Sequence, residues 1–97
     1  MSYQVLFEPA AQLDIAEAFT WYEDKSYGLG GDFLRVIAAA SEQLQRNPHL
    51  HPPTQAGFRR VLLRRFPYAL HFQVLDNAVV SVLACLHHRR SPSRWPG

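Results

Sequence analysis

The side chains best suited to chemistry lie in the second half of the chain. His71 sits within an alternating apolar stretch, residues 68–75, and His87 and His88 close another, residues 78–88. Arg60, Arg64 and Arg65 belong to a third stretch, residues 59–65, and Arg89 and Arg90 follow the histidine pair. Imidazole titrates near neutrality, so two histidines can act as base and acid. The guanidinium group presents a planar fork that fits phosphate or carboxylate. The plainer alternatives are a surface strand histidine and a solvated basic face. His87 and His88 alternate faces of a strand, so at most one of them joins a given site. Metal chemistry has little support. His49-x-His51, His87-His88 and the single Cys85 match no zinc spacing, so neither a metal nor a cofactor is expected.

The arginines belong to a strong charge asymmetry. Residues 1–47 hold seven acids against Lys25, Arg35 and Arg46, whereas residues 48–97 hold seven arginines against Asp76 alone. A basic half built only from arginine points to an anionic partner, either nucleic acid or an acidic protein. At 97 residues with 47% hydrophobic composition, the chain suits one domain, residues 1–97, and disorder is not expected. No apolar run is long enough to cross a bilayer, and no charged segment precedes an apolar one at the N-terminus. A solitary cysteine fits a reducing cytoplasm.

Two helices and four strands must position these residues. Residues 3–7 read as a short strand with Tyr3, Val5 and Phe7 on one face. Pro9 opens a helix that ends near Lys25, with Glu8 and Asp14 near its positive end. Ala11, Ile15, Ala18, Phe19 and Tyr22 recur at helical spacing as its buried stripe, leaving Gln12, Glu17 and Glu23 to water. Residues 29–46 form a second helix with the stripe Leu29, Phe33, Val36, Ile37, Ala40 and Leu44. Gly30 and Gly31 permit close packing against the first helix, and Asn47-Pro48 ends the second. After a proline-rich loop come strands at 59–65, 68–75 and 78–88, the last two joined by a turn at Asp76-Asn77.

Strand alternation puts Val61, Leu63, Tyr68, Leu70, Phe72 and Val74 under the helices. Arg60, Leu62, Arg64, Ala69, His71 and Gln73 then share the open face, with His88 or Arg89 near its rim. The expected fold is α+β in two layers: a helical hairpin packed on an antiparallel sheet, in the order β-α-α-β-β-β. The tail, residues 89–97, holds Pro92 and Pro96 and reads as loosely held.

Several local patterns occur in an order that resembles the RelE/ParE toxins of type II toxin–antitoxin systems. They are Phe7-Glu8-Pro9-Ala10 with Asp14-Ile15, Trp21-Tyr22-Glu23, Leu29-Gly30 with Phe33, Asn47-Pro48, and Arg65-Phe66-Pro67-Tyr68. The ending His87-His88-Arg89-Arg90-Ser91-Pro92 with Trp95 resembles the family's C-terminal His-x-x-Arg-x-Pro pattern. The resemblance covers nearly the whole chain. It implies a growth-inhibiting toxin held inactive by a labile antitoxin, whose acidic segment could cover the basic surface.

The superfamily has two modes of action. ParE-like members inhibit DNA gyrase by binding. RelE-like members cut mRNA on the ribosome, where a base takes the 2′-hydroxyl proton, a cation steadies the phosphorane and an acid protonates the leaving oxygen. For the nuclease mode the candidates are His71, His88 and Arg64. For binding of target or antitoxin they are Arg60, Arg64, Arg65, His87, Arg89 and Arg90. Lys25 is the only lysine, and Arg89 stands where some ribonuclease members carry a tyrosine. Both departures favour the ParE-like reading. The alternative is the mRNA endonuclease, and a third reading keeps antitoxin binding alone.

Overall fold

Proline and glycine set the boundaries from which the rest follows. Pro9 starts α1 (Pro9–Lys25), where its missing N–H leaves no bond unmade. Gly28 takes φ 87°, a left-handed conformation that reverses the chain into α2 (Leu29–Arg46). The computed structural model describes residues 2–54 and 56–88. In that span β1 (Gln4–Phe7) precedes α1, and a short 3-10 turn (Pro48–Leu50) follows α2. Then come β2 (Arg59–Leu62), β3 (Tyr68–Leu75) and β4 (Val79–His87). The tail at 89–97, with Arg89 and Arg90, lies outside the described residues.

The sheet runs in the order β1-β4-β3-β2. The last three strands form the expected antiparallel meander, whereas β1 joins β4 in parallel. The chain passes from β1 to β2 through both helices, and their buried residues share one core with one face of the sheet, so the hairpin lies on that face. Phe33, Ile37, Ala40 and Leu44 of α2 pack into one core with Val61, Leu63, Leu70, Phe72, Val80 and Val82. An aromatic group of Tyr22, Phe33, Phe66 and Tyr68 closes one end, with ring centroids 4.8–6.1 Å apart in mostly edge-to-face pairs.

Three details differ from the sequence expectation, each for a local reason. The turn between β3 and β4 has three residues, Asp76 to Ala78, because Leu75 pairs with Val79; Asn77 and Ala78 both adopt positive φ. β2 stops at Leu62, because Arg65 takes φ 68° and swings the chain out of the ladder before Phe66-Pro67. Glu23 does not simply face water. Its two carboxylate oxygens accept the N–H groups of Gly28 and Gly30 at 2.9 Å each, holding an anion at the positive end of α2.

Candidate functional site

Among the described residues β2 lies at the edge of the sheet, so one side of its backbone has no strand partner there. Between that edge and α2 runs a groove of about 460 Å³. Val36, Ala40, Val61 and Leu63 supply its apolar lining. Arg35 and Arg46 reach it from α2, and Arg64 and Arg65 from the bend after β2. Asp32 bonds Arg35 and lies 3.6 Å from Arg65, so it offsets part of that charge. Among the described residues Arg46 and Arg64 have no carboxylate partner. Arg64 also lines an adjoining pocket with Arg60, His51 and Thr54. An apolar floor with a cationic rim beside a free strand edge suits an extended acidic chain, which can add main-chain bonds and pair its carboxylates.

The open face of the sheet carries a second cluster. Arg60 and His71 are directly paired on β2 and β3. Burial pushes the His71 imidazole below its ordinary value; Arg60 lowers it further, while Asp14 pulls the other way. His71 is therefore neutral near pH 7, in the form that accepts a proton. Burial, then Arg59, lowers His51 likewise, and the His51 ring stands edge-on to Phe72 at 6.1 Å.

A bulge in β4 decides where the histidine pair points. His71 pairs with Ala84 but Phe72 pairs with Val82, which leaves Leu83 as an extra residue. Val80 and Val82 face the helices before the bulge, and Cys85 does so after it. His87 consequently turns toward the helical side, where its ring stands edge-on to Tyr68 at 5.4 Å in a groove shared with Glu17 and Trp21. His88 is exposed, and its N–H donates to the Pro67 carbonyl. His71 and His87 are thus on opposite faces. Arg64 sits beyond the end of β2 in the groove, and Arg60 takes the position beside His71 instead.

Arg35 and Arg46 join the groove from outside the expected set, although Asp32, Arg35, Ala39, Gln43 and Arg46 recur at helical spacing and line it together. The acids at the start of α1 make contacts that their place near the helix dipole does not foretell. Asp14 accepts the Cys85 N–H at 2.9 Å, beyond the point where β1 stops, and Glu8 accepts the Ser81 hydroxyl at 2.7 Å. Cys85 itself is buried, and its thiol is pushed up to about 12 by burial and by Asp14, which makes it inert. Among the described residues no three potential ligands cluster for a metal, and no helix is long and apolar enough to cross a membrane.

Comparison with known proteins agrees with this architecture. The chromosomal ParDE toxin–antitoxin system of P. aeruginosa contains a chain that superposes with a TM-score of 0.73 at 16% identity, covering 89% of this chain and 96% of that one. The RelBE2 toxin–antitoxin complex of Mycobacterium tuberculosis contains one with a TM-score of 0.63 at 24% identity, covering 90% and 99%. At these identities the likeness is one of fold. Among curated proteins no sequence matches. The profile of the ParE toxin of type II toxin–antitoxin systems, parDE, matches residues 5–92. With that match spanning nearly the whole chain, the protein belongs to the ParE toxin family of type II toxin–antitoxin systems.

Proposed function

We propose that the chain inhibits bacterial growth by binding, with DNA gyrase as its target, and that a cognate antitoxin neutralises it by laying an acidic segment along the β2 edge. The observation that carries the reading is the groove beside β2, where Arg35, Arg46, Arg64 and Arg65 rim an apolar floor. That arrangement offers charge and surface to a partner, and only Arg64 of the expected nuclease set lies in it. Pulse labelling after induction tests the target. Early loss of DNA synthesis is the expected result, whereas early loss of protein synthesis would move the target to the ribosome.

The Arg60–His71 pair favours a second reading, the ribosome-dependent mRNA endonuclease. A neutral imidazole beside a guanidinium can take a 2′-hydroxyl proton while the cation steadies the phosphorane. General acid–base groups contribute roughly 100- to 10,000-fold in rate. Site-specific mRNA cuts on ribosomes that disappear in His71→Ala would establish this mode in place of the first.

A further inference from the structure

Among the described residues the edge of β2 is open over one short stretch. The Leu63 N–H donates to the Tyr68 carbonyl at 2.9 Å, and bonded and unbonded pairs alternate along an antiparallel ladder. Arg59 and Val61 therefore turn their main-chain polar groups to β3, whereas Arg60 and Leu62 turn theirs outward. The Thr54 N–H, bonded to the Phe58 carbonyl at 2.6 Å, closes the edge before Arg60, and the positive φ at Arg65 bends the chain away after Leu62. Side chains alternate across the same stretch. Val61 and Leu63 are buried on the helical side, while Arg60 and Leu62 are exposed on the other. The hollows on the two sides are continuous. Gln43, Val61, Leu62 and Arg64 line both the groove against α2 and a second pocket of about 650 Å³ that also takes in Arg60. Among the described residues no carboxylate lines that second pocket, and Arg60 has no ion-pair partner.

We infer that the acidic segment proposed for the groove is held as an added strand that straddles this edge, with an apolar side chain level with Val61 on the helical side and a carboxylate level with Arg60 on the open face. The inference rests on the groove being the antitoxin's seat, and it states what that seat selects. Side chains level with each other on neighbouring strands point to the same face, with Cβ atoms about 4.5–5.5 Å apart. A residue level with Val61 thus enters the groove over Val36 and Ala40, where a charge would lose its water. Its neighbour level with Arg60 emerges on the opposite face, within reach of the guanidinium. Charge alone is met by Arg35, Arg46, Arg64 and Arg65 in any register, so the order of apolar and acidic side chains is what the trough reads. The outward N–H and C=O groups of Arg60 and Leu62 hold the segment's backbone in phase. One strand then covers both surfaces. It fills the groove and sets an anion beside the Arg60–His71 pair, offsetting the cation there.

Amide and imidazole NMR on the full chain tests the register, with short acetylated peptides as probes. One has glutamates around a central leucine, one is glutamate throughout, and one is the leucine peptide N-methylated at the leucine and both its neighbours. With the leucine peptide the Arg60 and Leu62 amides should shift. The all-glutamate peptide should bind about tenfold more weakly despite its extra charge, as loss of one buried apolar side chain requires. The N-methylated peptide should also bind more weakly, because its backbone cannot donate to the edge. In the complex the His71 imidazole should titrate at a higher pH than in the free chain, because the bound carboxylate offsets Arg60, which lowers it. Arg60→Gln should weaken binding about two- to fivefold and abolish that change in His71. An all-glutamate peptide that binds as tightly as the leucine peptide, or an N-methylated one that binds unchanged, overturns the register. The groove remains an anionic seat in that case if Arg46→Ala and Arg64→Ala still weaken the peptides. A His71 change that persists in Arg60→Gln overturns the register as well. Binding by none of the peptides, or only at residues away from β2 and α2, removes the reading of the groove together with the register.

Discussion

His51 and His71 are the residues on which solution pH acts most directly. Both have imidazoles held below the ordinary value of 6.5, in each case by burial first and a neighbouring arginine second. In the unfolded chain each takes up its proton near 6.5, whereas in the folded chain uptake waits for a lower pH. The unfolded state thus binds more protons in that window, so stability rises with pH across it. The contribution is complete above about pH 7 and is lost as pH falls through the folded values. Urea unfolding between pH 8 and pH 5 should show stability falling toward the acid side, and the fall should be smaller in His51→Gln and in His71→Gln. Slopes identical to that of the parent protein would remove titration of these rings as the cause. Arg60 and Asp14 act on His71 with opposite signs, so Asp14→Asn should move its midpoint further down. The acids of α1 show what sequence reveals at this scale. Glu8, Asp14 and Glu23 stood out in the family-like patterns, yet their partners, Ser81, Cys85 and Gly30, lie on other elements and were legible only once the chain was folded.

At the scale of elements, the two adjacent glycines of α2 separate packing from propensity. A Cβ on Gly30 would sit 2.8 Å from the Phe19 ring and 2.9 Å from its backbone carbonyl, so α1 and α2 touch there without room for a methyl. A Cβ on Gly31 meets nothing nearer than the end of Arg35 at 3.8 Å. Gly30→Ala should therefore destabilise by about 1–3 kcal/mol through overpacking. Gly31→Ala should stabilise by up to about 1 kcal/mol through helix propensity. Thermal or urea unfolding of the pair checks both signs, and a stabilising Gly30→Ala would mean that the helices are not in close contact at that point. The same elements show how far periodicity reaches. The buried stripe of α2 and the alternation in β3 were legible because one face is apolar and the period is regular. The bulge at Leu83 was not, since Ala78 to Leu86 is apolar on both faces apart from Ser81, and nothing polar after Ser81 marks the change of phase. That single residue turns His87 toward the helices, so the site geometry was less readable than the fold. The early end of β2 was hidden for a related reason: Arg64 and Arg65 continue the alternation, and only the positive φ at Arg65 breaks it.

Taken whole, the molecule is electrically divided, with acids concentrated in the helical half of the sequence and arginines in the sheet half. The division is not a simple front and back, because α2 contributes Arg35 and Arg46 to the same groove as Arg64 and Arg65. That convergence makes the groove a charged track along the sheet edge, and it predicts how binding depends on each arginine. Arg46 and Arg64 have no carboxylate partner among the described residues, so each is available to a bound acidic segment. Arg35 is already bonded to Asp32 and must share or exchange that partner. Arg46→Ala and Arg64→Ala should each weaken antitoxin binding by about 0.5–1 kcal/mol, the upper range for exposed ion pairs. Arg35→Ala should cost less. Charge-driven contacts fade as salt shortens the screening length from about 8 Å at physiological ionic strength to about 3 Å at 1 M. The losses in Arg46→Ala and Arg64→Ala should therefore shrink as salt rises, with the association rate more sensitive than for a neutral interface. Titration calorimetry and stopped-flow mixing with the purified antitoxin, at low and high salt, measure both quantities. His71→Ala serves as the reference, because His71 lies on the open face and not in the groove. If His71→Ala weakens the complex more than Arg64→Ala, or if the arginine losses are indifferent to salt, the antitoxin is held by the open face, and the groove beside β2 is left for the target.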